Sequence, residues 1–114
     1  MKEIVVVGLG YVGLPLALLA DRKGFATTGL DIDTRKIDAL HAGKSYIDDI
    51  SNDELKSSGA TFTTDASVVA KADAVIVCVP TPVTEEKEPD LTPVKGAITS
   101  VAPHLKKHTL VVVE

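Results

Sequence analysis

The chain has no tryptophan, two tyrosines, two phenylalanines and a single cysteine, Cys78. A lone cysteine cannot close an intrachain disulfide, so the cysteine content excludes a disulfide-stapled secreted scaffold. The four aromatics are Tyr11, Phe25, Tyr46 and Phe62, and the formal net charge is −4. Neither a stacking platform nor a basic field for nucleic acid is present, and nothing would draw the chain to an anionic membrane. The longest apolar runs are nine residues at 12–20 and seven at 74–80. Roughly 18 or more are needed to cross a bilayer. Met1-Lys2-Glu3 leads straight into an apolar run with no small-residue cleavage site after it, unlike a secretory leader. The expected compartment is the cytoplasm. His41, His104 and His108 have no metal-ligand spacing and no Cys/His cluster exists, so no metal site is expected.

What remains is an ordinary globular composition, 45% hydrophobic and 25% charged over 114 residues. A chain of this size hides roughly two-thirds of its unfolded surface, enough for one core. It is too short for two domains with an active site between them. Short β-branched runs at residues 4–7, 26–30, 61–63, 74–79 and 109–113 suit strands buried on both faces of a parallel sheet. Between them lie segments of helical character. Residues 11–22 carry Val12, Leu16, Leu19 and Ala20 at helical spacing. Residues 34–41 place Ile37 and Leu40 together, and residues 92–105 do the same for Val94, Ala97, Ile98, Val101 and Leu105.

Boundary signals agree with this division. Thr92-Pro93 offers a capping hydroxyl and then a first-turn proline. Ser51 followed by Glu54 is a capping-box pattern for a short helix. Gly24, Gly43 and Gly59 fall where helices would stop. Residues 80–91, with Pro80, Pro82 and Pro89 among Glu85, Glu86 and Glu88, read as a loop after the fourth strand. Alternating strand and helix predicts an α/β fold: a Rossmann-like, doubly wound parallel sheet of five strands in the order 3-2-1-4-5.

Gly8-Leu9-Gly10-Tyr11-Val12-Gly13 fits G-x-G-x-x-G, and it follows a strand and opens a helix. That context turns a weak pattern into a dinucleotide signal. Gly8 permits the tight turn, Gly10 lets backbone approach a pyrophosphate, and Gly13 lets the helix lie close to the strand. The alternative is a tight turn with no ligand. Asp31 ends the second strand, 18 residues beyond Gly13. A carboxylate there would accept from the adenosine ribose hydroxyls and repel a 2′-phosphate, which favours NAD over NADP. Arg35 and Lys36 weigh the other way, since basic residues can accommodate that phosphate. The plain alternative for Asp31 is a helix cap, and Asp33 reads as a cap outright. A methyltransferase shares the glycine loop and the acid, but nothing else in the sequence favours one. Cys78 lies in an apolar run and reads as a buried small hydrophobe.

Residues 8–17, Gly29-Leu30-Asp31-Ile32-Asp33 with Lys36-Ile37, Cys78-Val79-Pro80-Thr81-Pro82, Pro89-Asp90-Leu91 and Val111-Val112-Val113-Glu114 together carry a family resemblance. In that order they resemble the nucleotide-sugar 6-dehydrogenases, the UDP-glucose/GDP-mannose dehydrogenase family, over essentially the whole chain. Pro15 and the stretch Gly43-Lys44-Ser45-Tyr46-Ile47-Asp48-Asp49-Ile50 look closest to the UDP-N-acetylglucosamine 6-dehydrogenase branch, which feeds polysaccharide synthesis. The resemblance implies oxidation of a sugar C6 alcohol to a carboxylate with two NAD, through a thiohemiacetal on a catalytic cysteine. It implies cofactor contacts from Gly8, Gly10, Tyr11, Val12 and Gly13 to the pyrophosphate, and from Asp31, with Lys36 near it, to the ribose. Val79, Pro80 and Thr81 would line the groove at the end of the fourth strand. The family's cysteine, lysine and asparagine lie beyond residue 114. The expectation is therefore an NAD-binding domain, residues 1–114 of a longer enzyme, that binds NAD without turnover. The UDP-sugar would be a partner of the longer enzyme alone. A stand-alone nucleotide-binding sensor and a different dehydrogenase with the same N-terminal half are the competing readings. The apolar last strand would be an open edge, so self-association through it is expected.

Overall fold

Val5, Val6 and Val7 are all buried, yet they face opposite ways, and this alternation organises the molecule. In the computed structural model, which describes residues 2–79, 91–107 and 109–113, they belong to β1 (Glu3–Val7). The chain continues through α1 (Gly13–Arg22), β2 (Ala26–Leu30), α2 (Thr34–His41), α3 (Asn52–Ser57) and β3 (Thr61–Thr63). A 3-10 helix at Ala66–Lys71 leads to β4 (Ala74–Val77), and α4 (Thr92–Val101) precedes β5 (Leu110–Val113). Among the described residues the strands form one sheet, ordered β3-β2-β1-β4-β5, and every neighbouring pair is parallel.

Val6 packs on one face with Leu14 and Leu18 of α1, Ile37 and Leu40 of α2, and Leu55 of α3. Val5 and Val7 pack on the other face with Val69 of the 3-10 helix, Val75 and Val77 of β4, and Val101 of α4. The sheet is therefore covered on both sides, as its continuous apolar strands require.

Several boundaries have visible causes. Asp33 caps α2 by accepting from the Arg35 amide at 2.9 Å, and Ser51 caps α3 by accepting from Glu54 at 3.0 Å. Gly43 follows α2 at φ +73°, a left-handed conformation that glycine adopts without strain.

Other expectations need correction. Helix α1 turns Leu14, Ala17 and Leu18 to the core, whereas Val12 and Leu19 are exposed. Leucine runs around much of its circumference, so spacing alone did not single out the buried face. Thr92 is the first residue of α4 and Leu91 its cap position. The predicted helix over 92–105 ends at Val101, and Ala102–His104 tightens into a 3-10 helix. Pro103 explains this, since proline has no N–H for the helical ladder. Strand β4 stops at Val77, so Cys78 and Val79 lie just beyond it. The loop expected at residues 80–91 falls, up to residue 90, outside the described residues.

Candidate functional site

Parallel register brings the carboxyl ends of three strands into line, pairing Val7 with Leu30 and with Val77. The residues that follow are Gly8, Asp31 and Cys78. After β1 the chain crosses to the α1 face, while α4, beyond β4, lies on the other. With α1 on one face and α4 on the other, a crevice opens between them at the reversal of strand order. A cleft of about 810 Å³ occupies it, bounded by the glycine turn, Asp31, Lys36, Val79 and the start of α4.

The three glycines of the turn answer to different neighbours. Gly8 sits at φ +94°, and a Cβ on it would lie 2.9 Å from the backbone of Cys78 and Val79. A Cβ on Gly13 would lie 1.7 Å from the Gly8 carbonyl oxygen. The protein's own backbone demands glycine at both places. Gly10 is different, because a Cβ there would meet no described atom within 4 Å. It lines the cleft, so the missing side chain leaves room for something else. Among the described residues the N–H groups of Gly10, Tyr11 and Val12 have no hydrogen-bond partner. They immediately precede α1, whose N-terminus carries a partial positive charge. Room, free donors and a helix terminus together fit a pyrophosphate.

Asp31 is nearly buried and does more than its position in the sequence suggested. Its Oδ2 accepts from the Leu9 amide at 2.8 Å, and its Oδ1 accepts from the Asp33 amide at 2.9 Å. It thus ties the loop after β1 to the loop after β2. A carboxylate has about four lone-pair sites, so acceptor capacity remains toward the cleft. Asp31 is not the cap of α2; Asp33 is. The bond from the Arg35 amide holds the Asp33 carboxyl below its ordinary value. Lys36 reaches back along α2 and places Nζ 3.9 Å from Asp31 Oδ2.

Tyr11 and Val12 are exposed at the cleft mouth, 78% and 60% respectively, and Ile32 beside Asp31 is 88% exposed. These apolar surfaces suit a heterocyclic base or sugar ring more than bulk water. Val79 lines the cleft; Pro80 and Thr81 lie outside the described residues. Cys78 is partly buried and packs against the α1-side core, while its amide donates to the Val7 carbonyl at 2.7 Å. Tyr46, Ile32 and Thr64 were not singled out as site residues from the sequence. Tyr46 donates from its hydroxyl to the Leu9 carbonyl at 2.5 Å. No periodicity links residues 37 positions apart, so only the fold reveals that contact.

A doubly wound parallel sheet, a glycine turn and an acid at the end of β2 define a dinucleotide-binding domain. Over residues 2–114 the chain matches the NAD binding domain of the UDP-glucose/GDP-mannose dehydrogenase family, and it belongs to that family. It is similar to a UDP-N-acetyl-D-glucosamine 6-dehydrogenase of Pseudomonas aeruginosa, at 41% identity over 98% of this chain and 26% of the relative. Among solved structures it resembles a UDP-D-ManNAc dehydrogenase of Pyrococcus horikoshii, with a TM-score of 0.92 at 30% identity. That match covers 99% of this chain and 28% of the other. A ternary complex of GDP-mannose dehydrogenase from Pseudomonas aeruginosa aligns at TM-score 0.87 and 28% identity, over 99% of this chain and 28% of the other. The chain thus spans about a quarter of the length of these relatives. Among the described residues no helix is long and apolar enough to cross a membrane.

Proposed function

We propose that this chain forms the cofactor-binding part of a nucleotide-sugar 6-dehydrogenase and takes NAD in the cleft above the glycine turn. Gly10 carries the reading: among the described residues nothing in the fold needs glycine there, and a close-lying pyrophosphate does. Backbone from Gly8 to Gly13 holds the phosphates, with Tyr11 and Val12 contributing N–H groups. Asp31 accepts from the adenosine ribose and repels a 2′-phosphate. Lys36 screens the charge that Asp31 and the phosphates bring together. Val79 lines the cleft just beyond β4, and the family resemblance assigns Pro80 and Thr81, which lie outside the described residues, to the same groove. Bound NAD supplies a hydride acceptor for alcohol oxidation.

The 41% identical relative supports a UDP-N-acetylglucosamine substrate. Oxidation of its C6 alcohol to a carboxylate with two NAD is what the family resemblance implies. On this reading residues 1–114 are the cofactor domain and the sugar-binding and nucleophilic residues lie outside it. The chain alone then binds NAD without turning over a UDP-sugar. Calorimetric titration with NAD and NADP tests the cofactor assignment, and NAD should bind the more tightly. Equal affinity, or none for either, would remove Asp31 as selector. Oxidation of a UDP-sugar by these 114 residues alone would remove the division of labour.

A further inference from the structure

Leu9 is fully buried between the first two glycines of the turn, and both of its backbone polar groups are held by side chains from elsewhere. Its N–H donates to Asp31 Oδ2 at 2.8 Å, and its carbonyl accepts the Tyr46 hydroxyl at 2.5 Å. The next N–H along the chain belongs to Gly10, which lines the cleft, and it has no partner among the described residues.

The loop that delivers Tyr46 is itself fixed. Ile47 and Ile50 are buried in the α1-side core. The Ser45 amide donates to Asn52 Oδ1 at 2.8 Å, and the Ser45 hydroxyl bonds the Ile47 backbone at both its N–H and its carbonyl. The Lys36 ammonium stands 6.0 Å from the centre of the Tyr46 ring. Burial first, and then the negative charges of Asp31 and Asp33, push the phenol up from its ordinary value. The hydroxyl therefore stays protonated and remains a donor throughout the neutral range.

We propose that Tyr46 is a positioning residue for the cofactor, acting through the Leu9–Gly10 peptide. A hydrogen bond to a carbonyl draws electron density out of the amide and strengthens the N–H on its other side. Tyr46 thus sharpens the Gly10 N–H as a donor to the pyrophosphate and holds it at the angle the turn requires. Asp31 completes the arrangement from the opposite end of Leu9. The proposal rests on the reading of the cleft as an NAD site.

Tyr46→Phe removes the hydroxyl and keeps the ring in place. NAD affinity should fall roughly two- to fourfold, because the Gly10 N–H keeps its bond to the pyrophosphate but loses the strengthening that Tyr46 gives it. Adenosine, which lacks the pyrophosphate, should bind the variant and the parent alike. In a ¹H–¹⁵N spectrum without ligand, the Gly10 amide should move upfield while core amides such as Val75 stay in place. A parent that binds NAD beside a Tyr46→Phe variant of equal affinity overturns the proposal. So does an unmoved Gly10 amide, or an equal loss for adenosine, which would mean general loosening. A parent that fails to bind NAD overturns the cofactor reading instead, and the Gly10 shift then decides the polarisation on its own.

Discussion

The Gly8 carbonyl oxygen lies where a side chain on Gly13 would begin, 1.7 Å from the position of a Cβ. Helix α1 can therefore start against the turn only because residue 13 has no side chain. Gly13→Ala must push α1 away from β1 or break the turn. Over-packing of this severity costs about 2–3 kcal/mol or more. Urea unfolding should show that loss, and a stability equal to the parent's would contradict the packing described.

Gly10→Ala should behave in the opposite way. The added methyl meets no described atom within 4 Å, so stability should stay within about 0.5 kcal/mol of the parent. NAD binding should weaken by about tenfold or more, because the methyl occupies the approach to the turn. Calorimetry on the folded variant separates the two effects. An alanine variant that binds NAD normally would show that no ligand uses this space.

Asp31→Ala removes an acceptor from the buried Leu9 amide and, on the proposed reading, from the adenosine ribose. NAD binding should weaken by about 1–3 kcal/mol, as for a lost charge-assisted bond. Stability should drop too, by about 1–3 kcal/mol, since a buried N–H loses its partner. Asp31→Asn keeps an acceptor for Leu9 and should recover most of the stability while still losing the preference for NAD over NADP. If Asn and Ala are equally unstable, Asp31 contributes through its charge and not through that bond.

How far the sequence reaches is clear from particular residues. Helix α2 was legible to the residue because Asp33 caps it and Gly43 ends the turn after it, both local signals. The strands were legible because short β-branched runs suit strands buried on both faces of a parallel sheet. The 3-10 helix at Ala66–Lys71 was not, since Ser67-Val68-Val69 reads as readily as extended chain. Gly8, Gly10, Gly13 and Asp31 were legible as a set through their spacing. The second task of Asp31, and the reach of Tyr46 to Leu9, were not. Both depend on loops that are far apart in sequence and meet at the end of the sheet.

Asp73 gives a pH prediction. It lies before β4, where its carboxylate accepts from the Glu3 amide at 2.9 Å and pairs with Lys106 at 3.2 Å. The Glu3 bond first, then Lys106, holds its carboxyl below the ordinary value of 3.8. A carboxyl lowered on folding contributes stability that is present above pH 3.8 and fades as the pH falls through the folded value. Asp73→Asn should therefore be less stable than the parent at neutral pH, with the gap closing at an acid pH well below 3.8. Urea midpoints at both pH values read this directly. A gap that does not change with pH would assign the effect to packing.

The two edges of the sheet differ, and the difference predicts behaviour in solution. Strand β3 is only three residues long, and Thr61 pairs with Thr28 through their hydroxyls at 3.1 Å. Strand β5 presents Leu110, Val111, Val112 and Val113, exposed by 61%, 38%, 38% and 51%. Among the described residues no strand pairs with the outer side of β5, and an apolar edge of that kind favours pairing with another chain. We therefore expect the chain to associate through β5 as its concentration rises. Light scattering should show mass increasing with concentration, and Val112→Lys should reduce the increase by placing a charge on the edge. A clean monomer at high concentration would mean that this edge does not drive self-association.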